Sequence, residues 1–110
     1  MKALIASVLL IISFSSHSAM LTGNELYEEY KEWKKETPVE WYSVGLYSGF
    51  VDGVVDSLNV SGQICLPTGV SSGQTFDMVG KHLEDNPGDR NRSAVFLVFF
   101  VMISSFPCEE

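Results

Sequence analysis

Four groups of residues in this 110-residue chain carry side chains capable of chemistry, and none completes a catalytic set. Asp52 and Asp56 are spaced i, i+4 and share a helix face with Ser48. Paired carboxylates do acid–base work when their surroundings drive their pKa values apart. No basic or histidine partner stands near them in sequence, so they read as the polar stripe of a mostly buried helix. His82 is the only histidine beyond the leader; with two cysteines it cannot assemble the usual closed zinc ligand set. It reads as a surface or helix-terminal residue, where its partial positive charge suits the end of a helix. Cys65 and Cys108 are the only two thiols, and in an exported chain they are most simply one disulfide rather than a nucleophile. The fourth group is the polar run Glu84 to Arg92, dense in donors and acceptors around the turn signal Asn86-Pro87-Gly88. An exposed loop of that kind is either a solvated connection or a recognition surface, with Asp85, Asn86, Asp89, Arg90 and Asn91 as its candidate contacts. No phosphate-binding glycine loop, zinc-hydrolase helix motif or serine elbow appears, so no catalytic residue, metal or cofactor is expected.

Export is read from the first nineteen residues. Met1-Lys2 is followed by an apolar stretch from Ala3 to Phe14 and a small-residue exit, Ser15 to Ala19, the pattern of a secretory signal. The stretch is shorter than the roughly 20 residues a membrane span needs. Cleavage is placed after Ala19, with Ser18 as the alternative. Residues 20–110 then form one small domain. Loss of Lys2 takes the formal net charge from −7 to −8. That balance repels phosphate backbones and anionic bilayers, which excludes nucleic acid and an electrostatic membrane anchor as partners. It biases association toward basic partners.

The elements that must position these groups read as helices. Thr22-Gly23-Asn24-Glu25 has capping-box form, with Asn24 as an alternative cap, and opens an amphipathic segment to Glu36 with Leu26, Tyr27, Tyr30 and Trp33 at helical spacing. Thr37, Pro38 and Glu40 form a second start signal for a helix running to about Leu58. That helix is apolar around much of its circumference and is expected to be central. Gly45, Gly49 and Gly53 recur along one of its faces at a cost of about 1 kcal/mol each relative to alanine, which predicts close approach of a neighbouring backbone. Ser71 to Gln74 is a third capping box, before Phe76, Val79 and Leu83. The ten apolar residues Ala94 to Ile103 suit a buried strand or a buried helix; helical surroundings and the lack of a partner strand favour the helix, buried on several sides. The sum is an all-α, single-domain bundle of about four helices with one disulfide.

Thr22 to Tyr27, Tyr47 to Gly53, Cys65 to Gln74, Val79 to Pro87, Ser93-Ala94 and Phe106-Pro107-Cys108 form an ordered set of motifs along the mature chain. In order and spacing they resemble the Rap/Tai family of small exported proteins, the group that includes type VI amidase immunity proteins. The resemblance implies a helical, disulfide-stabilised periplasmic domain, often a homodimer. It would bind a peptidoglycan amidase toxin and occlude its active-site groove without catalysis of its own. Cys65 and Cys108 fall on the family's disulfide positions. Many relatives carry further cysteines after the segment matching Asn24 to Tyr27, where this chain has Glu28, Glu29, Tyr30 and Trp33.

Three functions are therefore weighed. The leading expectation is a periplasmic immunity protein; the alternatives are a periplasmic binding or stress protein sharing the scaffold, and a small hydrolase using Asp52 and Asp56. The dimer face would be the Gly45/Gly49/Gly53 strip or the Ala94–Ile103 run, unless both are core.

Overall fold

Thr22 begins the first helix as its sequence implies: its hydroxyl accepts the Glu25 N–H, while the Glu25 carboxylate accepts from the Thr22 N–H at 3.2 Å. The computed structural model describes residues 20–37 and 39–109, so the leader and Pro38 lie outside the described residues. Four helices follow one another: α1 Gly23–Lys34, α2 Trp41–Val60, α3 Ser72–Asp85 and α4 Ala94–Ser105, with a 3₁₀ turn at Pro87–Asp89. Ser71 and Gln74 form the second capping box, and the Ser93 hydroxyl caps α4 by accepting from the Phe96 N–H. The all-α expectation holds, and the Ala94–Ile103 run is a helix.

α2 departs from its expected start. It begins at Trp41 behind Glu40, which makes no side-chain cap, and Thr37 lies in a bend instead of capping. The entry is set across the loop: the Glu40 N–H donates to the Glu32 carboxylate of α1 at 3.1 Å. Two bonds hold the Glu32 carboxyl below its usual range, first that from Lys35 and then that from the Glu40 N–H. At its other end α2 stops in a Schellman motif. Gly62 takes the left-handed conformation (φ +76°), and the Gln63 N–H returns to the Leu58 carbonyl at 2.9 Å.

The core is aromatic at one end and aliphatic at the other. Tyr30 and Tyr47 are fully enclosed, with Trp33 and Phe76 packed edge-on at 5.5 Å. Burial, with Tyr30 and Asp77 nearby, pushes the Tyr47 phenol far up, so it remains a neutral donor, bonded to the Phe76 carbonyl at 2.6 Å. The Tyr30 ring packs directly against Gly80 of α3, where an added Cβ would sit 1.9 Å from it. Leu97, Val98 and Met102 of α4 close the aliphatic end with Val51, Val55 and Leu83.

Of two expectations about burial, the central place of α2 holds and the burial of α4 on several sides is corrected. α2 packs against each of the other helices, yet Trp41, Tyr42 and Leu46 on its outer side are exposed. α4 buries one side only, leaving Val95, Phe96 and Phe100 outward. Each helix has three helical neighbours at most, which cover one flank and leave the rest of an all-round apolar surface open.

Cys65 and Cys108 form a disulfide with a Cα–Cα distance of 4.9 Å. It joins the loop after α2 to the end of α4, beside a bond from the Cys65 N–H to the Phe106 carbonyl at 3.0 Å. Both sulfur-bearing residues lie at the surface. Among the described residues, no helix is long and apolar enough to cross a membrane.

Candidate recognition surface

The connector between α3 and α4 is stitched into the fold by its backbone. The first N–H groups of a helix have no partner inside it. In α1, Gly23 donates to the Arg92 carbonyl at 2.8 Å and Asn24 to the Arg90 carbonyl at 2.7 Å. The Ala94 N–H returns a bond to the Leu21 carbonyl at 2.7 Å, completing an antiparallel bridge between Thr22 and Ser93. Gly23 makes the approach feasible, since a Cβ there would meet Leu97 Cδ1 at 2.4 Å and the Arg90 carbonyl oxygen at 2.9 Å. Leucine can rotate away; a backbone carbonyl holding a helix N-terminus cannot. Gly23→Ala should therefore cost about 1–2 kcal/mol and raise hydrogen exchange at Asn24 and Ala94 more than in the α2–α3 core. Unchanged exchange at those two amides would contradict the stitching.

Side chains fix the other half of the connector. Asn86 ends α3: its N–H and its side-chain Nδ2 both donate to the His82 carbonyl, at 3.0 and 2.9 Å. The Asp89 carboxylate lies 3.7 Å from both His82 Nε2 and Arg92 Nε, and the Arg90 guanidinium stacks 4.2 Å over Tyr27. His82 is thus helix-terminal as expected, and it also faces the ring of Phe100 at 5.7 Å.

The five candidate contacts divide accordingly. Asp85, Asn86 and Asn91 are exposed, whereas Asp89 and Arg90 are half-buried and turned to internal partners. Asp85 has a distant surface pairing with Lys81 at 3.6 Å, too open to hold it rigid. Beside the connector, Phe96 and Phe100 stack at 6.5 Å, and Phe100 walls a hollow of about 370 Å³ shared with Met78, His82 and Asp85. These two aromatics are the residues that reading the sequence missed. Their i, i+4 spacing was visible, but within ten apolar residues no spacing marks a side as outward.

The remaining candidates are placed as follows. Asp52 and Asp56 do converge, in a dent of about 80 Å³ bordered by Ser71, Ser72 and Thr75, with no basic residue lining it. The lining supplies no proton partner of complementary pKa for acid–base work. Among the described residues, no cluster of three or more His, Cys, Asp or Glu could hold a metal ion. Gly45, Gly49 and Gly53 are a correction within the chain: a Cβ at any of them would meet nothing within 4 Å. Among the described residues no backbone approaches the strip, and Gly49 and Gly53 face an open groove beside Val95 of α4.

A family model of Rap1a immunity proteins matches residues 22–108, from the α1 cap to the second cysteine of the disulfide. The chain belongs to the Rap1a immunity protein family. The resemblance read from Thr22, Tyr47–Gly53 and Cys65–Gln74 is thereby upheld. A search of curated proteins finds no match. In a Rap1a-family protein the work to be done is the binding of a cognate effector toxin, which calls for a shaped, rigid surface.

Proposed function

We propose that this Rap1a-family protein acts in the periplasm, as a homodimer, binding a peptidoglycan amidase effector of a type VI secretion system. It occludes the amidase groove and so protects the producing cell. The observation that supports this reading best is the pre-organised connector. Its backbone is fixed at both ends by α1 and α3, while Asp85, Asn86 and Asn91 point outward beside Phe96 and Phe100. A loop already held in one shape avoids the ordering cost that weakens flexible binders. An aromatic pair flanked by polar side chains is also the composition of an interface centre with its rim. The disulfide supports an oxidising compartment, and the signal-like leader supports export to it.

The test is whether the neighbouring gene encodes a peptidoglycan amidase and whether this protein inhibits it. The chain from residue 20 onward should inhibit it at near-stoichiometric ratio. Phe100→Ala and Asn91→Arg should each weaken binding by about tenfold or more, the scale of an interface hot spot. Both side chains are exposed, so thermal melting should move little. Full amidase activity in a large excess of the wild-type chain would sink the reading.

A further inference from the structure

Positive charge is scarce in this chain and unevenly placed. Beyond the leader the basic residues are Lys31, Lys34, Lys35, Lys81, Arg90 and Arg92, set among 14 carboxylates. Lys31, Lys34 and Lys35 line one open hollow of about 390 Å³, together with Tyr27, Tyr30 and Glu84. The Lys31 ammonium lies 5.0 Å over the Tyr27 ring, and that of Lys34 lies 5.5 Å over the Tyr30 ring. We propose that this hollow receives an acidic peptide segment of a protein partner, its carboxylates meeting Lys31, Lys34 and Lys35. The inference rests on the reading above for the partner: it carries the connector surface onto α1 and gives the charge of the effector segment that docks there.

The hollow and the connector are continuous through Tyr27. Its ring carries Lys31 on the side of the hollow and the Arg90 guanidinium of the connector, 4.2 Å from its centre. Glu84 borders the hollow too, two residues before the Asn86 that ends α3. A partner seated on the connector therefore reaches the lysines without leaving the surface. Lys31 and Lys35 are about half exposed, in surface pairs with Glu28 and Glu32 that hold them loosely. Among the described residues no carboxylate is within ion-pair distance of Lys34; Glu84 and Asp77 act on it only from further away.

Range decides the sign of the interaction. The formal net charge of −7 repels an acidic segment at a distance. At physiological ionic strength that field decays over about 8 Å. Helix residues three and four apart have Cβ atoms only about 5–6 Å from one another. A carboxylate inside the hollow thus senses three ammoniums more strongly than the acidic surface beyond them. The site suits carboxylates on a peptide better than phosphate. Its lysines stand in the second half of α1, where the helix presents carbonyl ends rather than N–H groups. Phosphate is held best by N–H groups at a helix start and by forked guanidinium groups, and neither lines the hollow. The volume falls within the roughly 300–1,000 Å³ of ordinary ligand pockets, and the tyrosine rings give an apolar floor for the stems of Asp and Glu side chains.

A titration of the isotope-labelled chain from residue 20 onward with hexaglutamate peptide, followed by amide NMR shifts, tests this. The amides of Tyr27, Lys31, Lys34 and Glu84 should shift saturably, while those around Asp52 stay in place. Lys34→Glu should raise the dissociation constant about tenfold or more, and Lys34→Gln by a smaller factor. Lys81→Glu, at an exposed lysine outside the hollow, should change it by less than about twofold. Lys34 is exposed, so its variants should fold, which an unchanged far-ultraviolet dichroism spectrum checks. No saturable shift overturns the inference, as does equal binding by wild type and Lys34→Glu, or equal shifts with hexaglutamine. So does flotation with vesicles of phosphatidylethanolamine and phosphatidylglycerol that hexaglutamate fails to compete away. Amidase inhibition, measured in parallel, separates the two readings. Hexaglutamate binding without any inhibition upholds the hollow and removes the immunity role. Inhibition that Lys34→Glu leaves intact, with hexaglutamate unbound, does the reverse.

Discussion

Gly80→Ala should destabilise the protein by about 2–3 kcal/mol, although alanine is the better helix former by about 1 kcal/mol. The added carbon would stand 1.9–2.3 Å from three atoms of the Tyr30 ring. That ring has nowhere to move: it is 2% exposed, and Tyr27, Trp33 and Tyr47 stack around it at 5.5–6.4 Å. Relief requires α1 and α3 to separate, which also strains the Tyr47 bond to the Phe76 carbonyl. For a domain of this size the loss corresponds to a fall of roughly 10–20 °C in melting temperature. Differential scanning calorimetry reads it directly. In a Tyr30→Leu background the same glycine substitution should cost far less, because the obstructing ring is gone. A cost equal in both backgrounds would show that the ring–glycine contact is not what fixes the spacing of α1 and α3.

The second large effect is loss of the disulfide. Cys65 and Cys108 are separated by 43 positions, and closing a loop of that length is worth about 4 kcal/mol in the chain-entropy model. Net stabilities of domains run from about 5 to 15 kcal/mol, so the double replacement by serine should leave a much weaker fold. Both cysteines are exposed, so dithiothreitol should reach the bond without prior unfolding and mimic the serine variant. The bond from the Cys65 N–H to the Phe106 carbonyl stays but cannot replace the covalent tie, since a hydrogen bond contributes about 1 kcal/mol net. Urea melts of the oxidised, reduced and serine forms check this. A midpoint shift equivalent to less than about 1 kcal/mol would mean that packing of α4 alone restrains the chain end.

What the sequence revealed follows from how local each signal is. The capping boxes at Thr22 and Ser71 act within three residues and stand where reading places them. Thr37 offered an equally good signal, but α2 starts later because Glu32, eight residues before Glu40, takes up its N–H. A cap that depends on a neighbouring helix is not written in adjacent residues. Gly80 was invisible for the same reason: its constraint is the ring of Tyr30, fifty positions earlier. The Gly45/Gly49/Gly53 strip was legible as an anomaly and misread in its cause within the chain, since a stripe of glycine announces closeness without naming the neighbour. In the candidate surface, polarity pointed to the connector, yet only the fold separates outward Asp85 and Asn91 from inward Asp89 and Arg90. The uniform apolarity of α4 hid Phe96 and Phe100 altogether.

The bridge between Thr22 and Ser93 has a consequence for the order in which the molecule is assembled. A chain is delivered with its N-terminus first, whether by synthesis or by threading through a translocation pore. The leading amides of α1 then wait for carbonyls that arrive about seventy positions later, at Arg90 and Arg92. Cys65 likewise waits for Cys108, 43 positions later. Neither closure can form on a partial chain, so a prematurely ended product keeps an open helix start and a free thiol. The connector acquires its shape only once Arg90 and Arg92 have met the start of α1, and a chain stopped before them cannot present it.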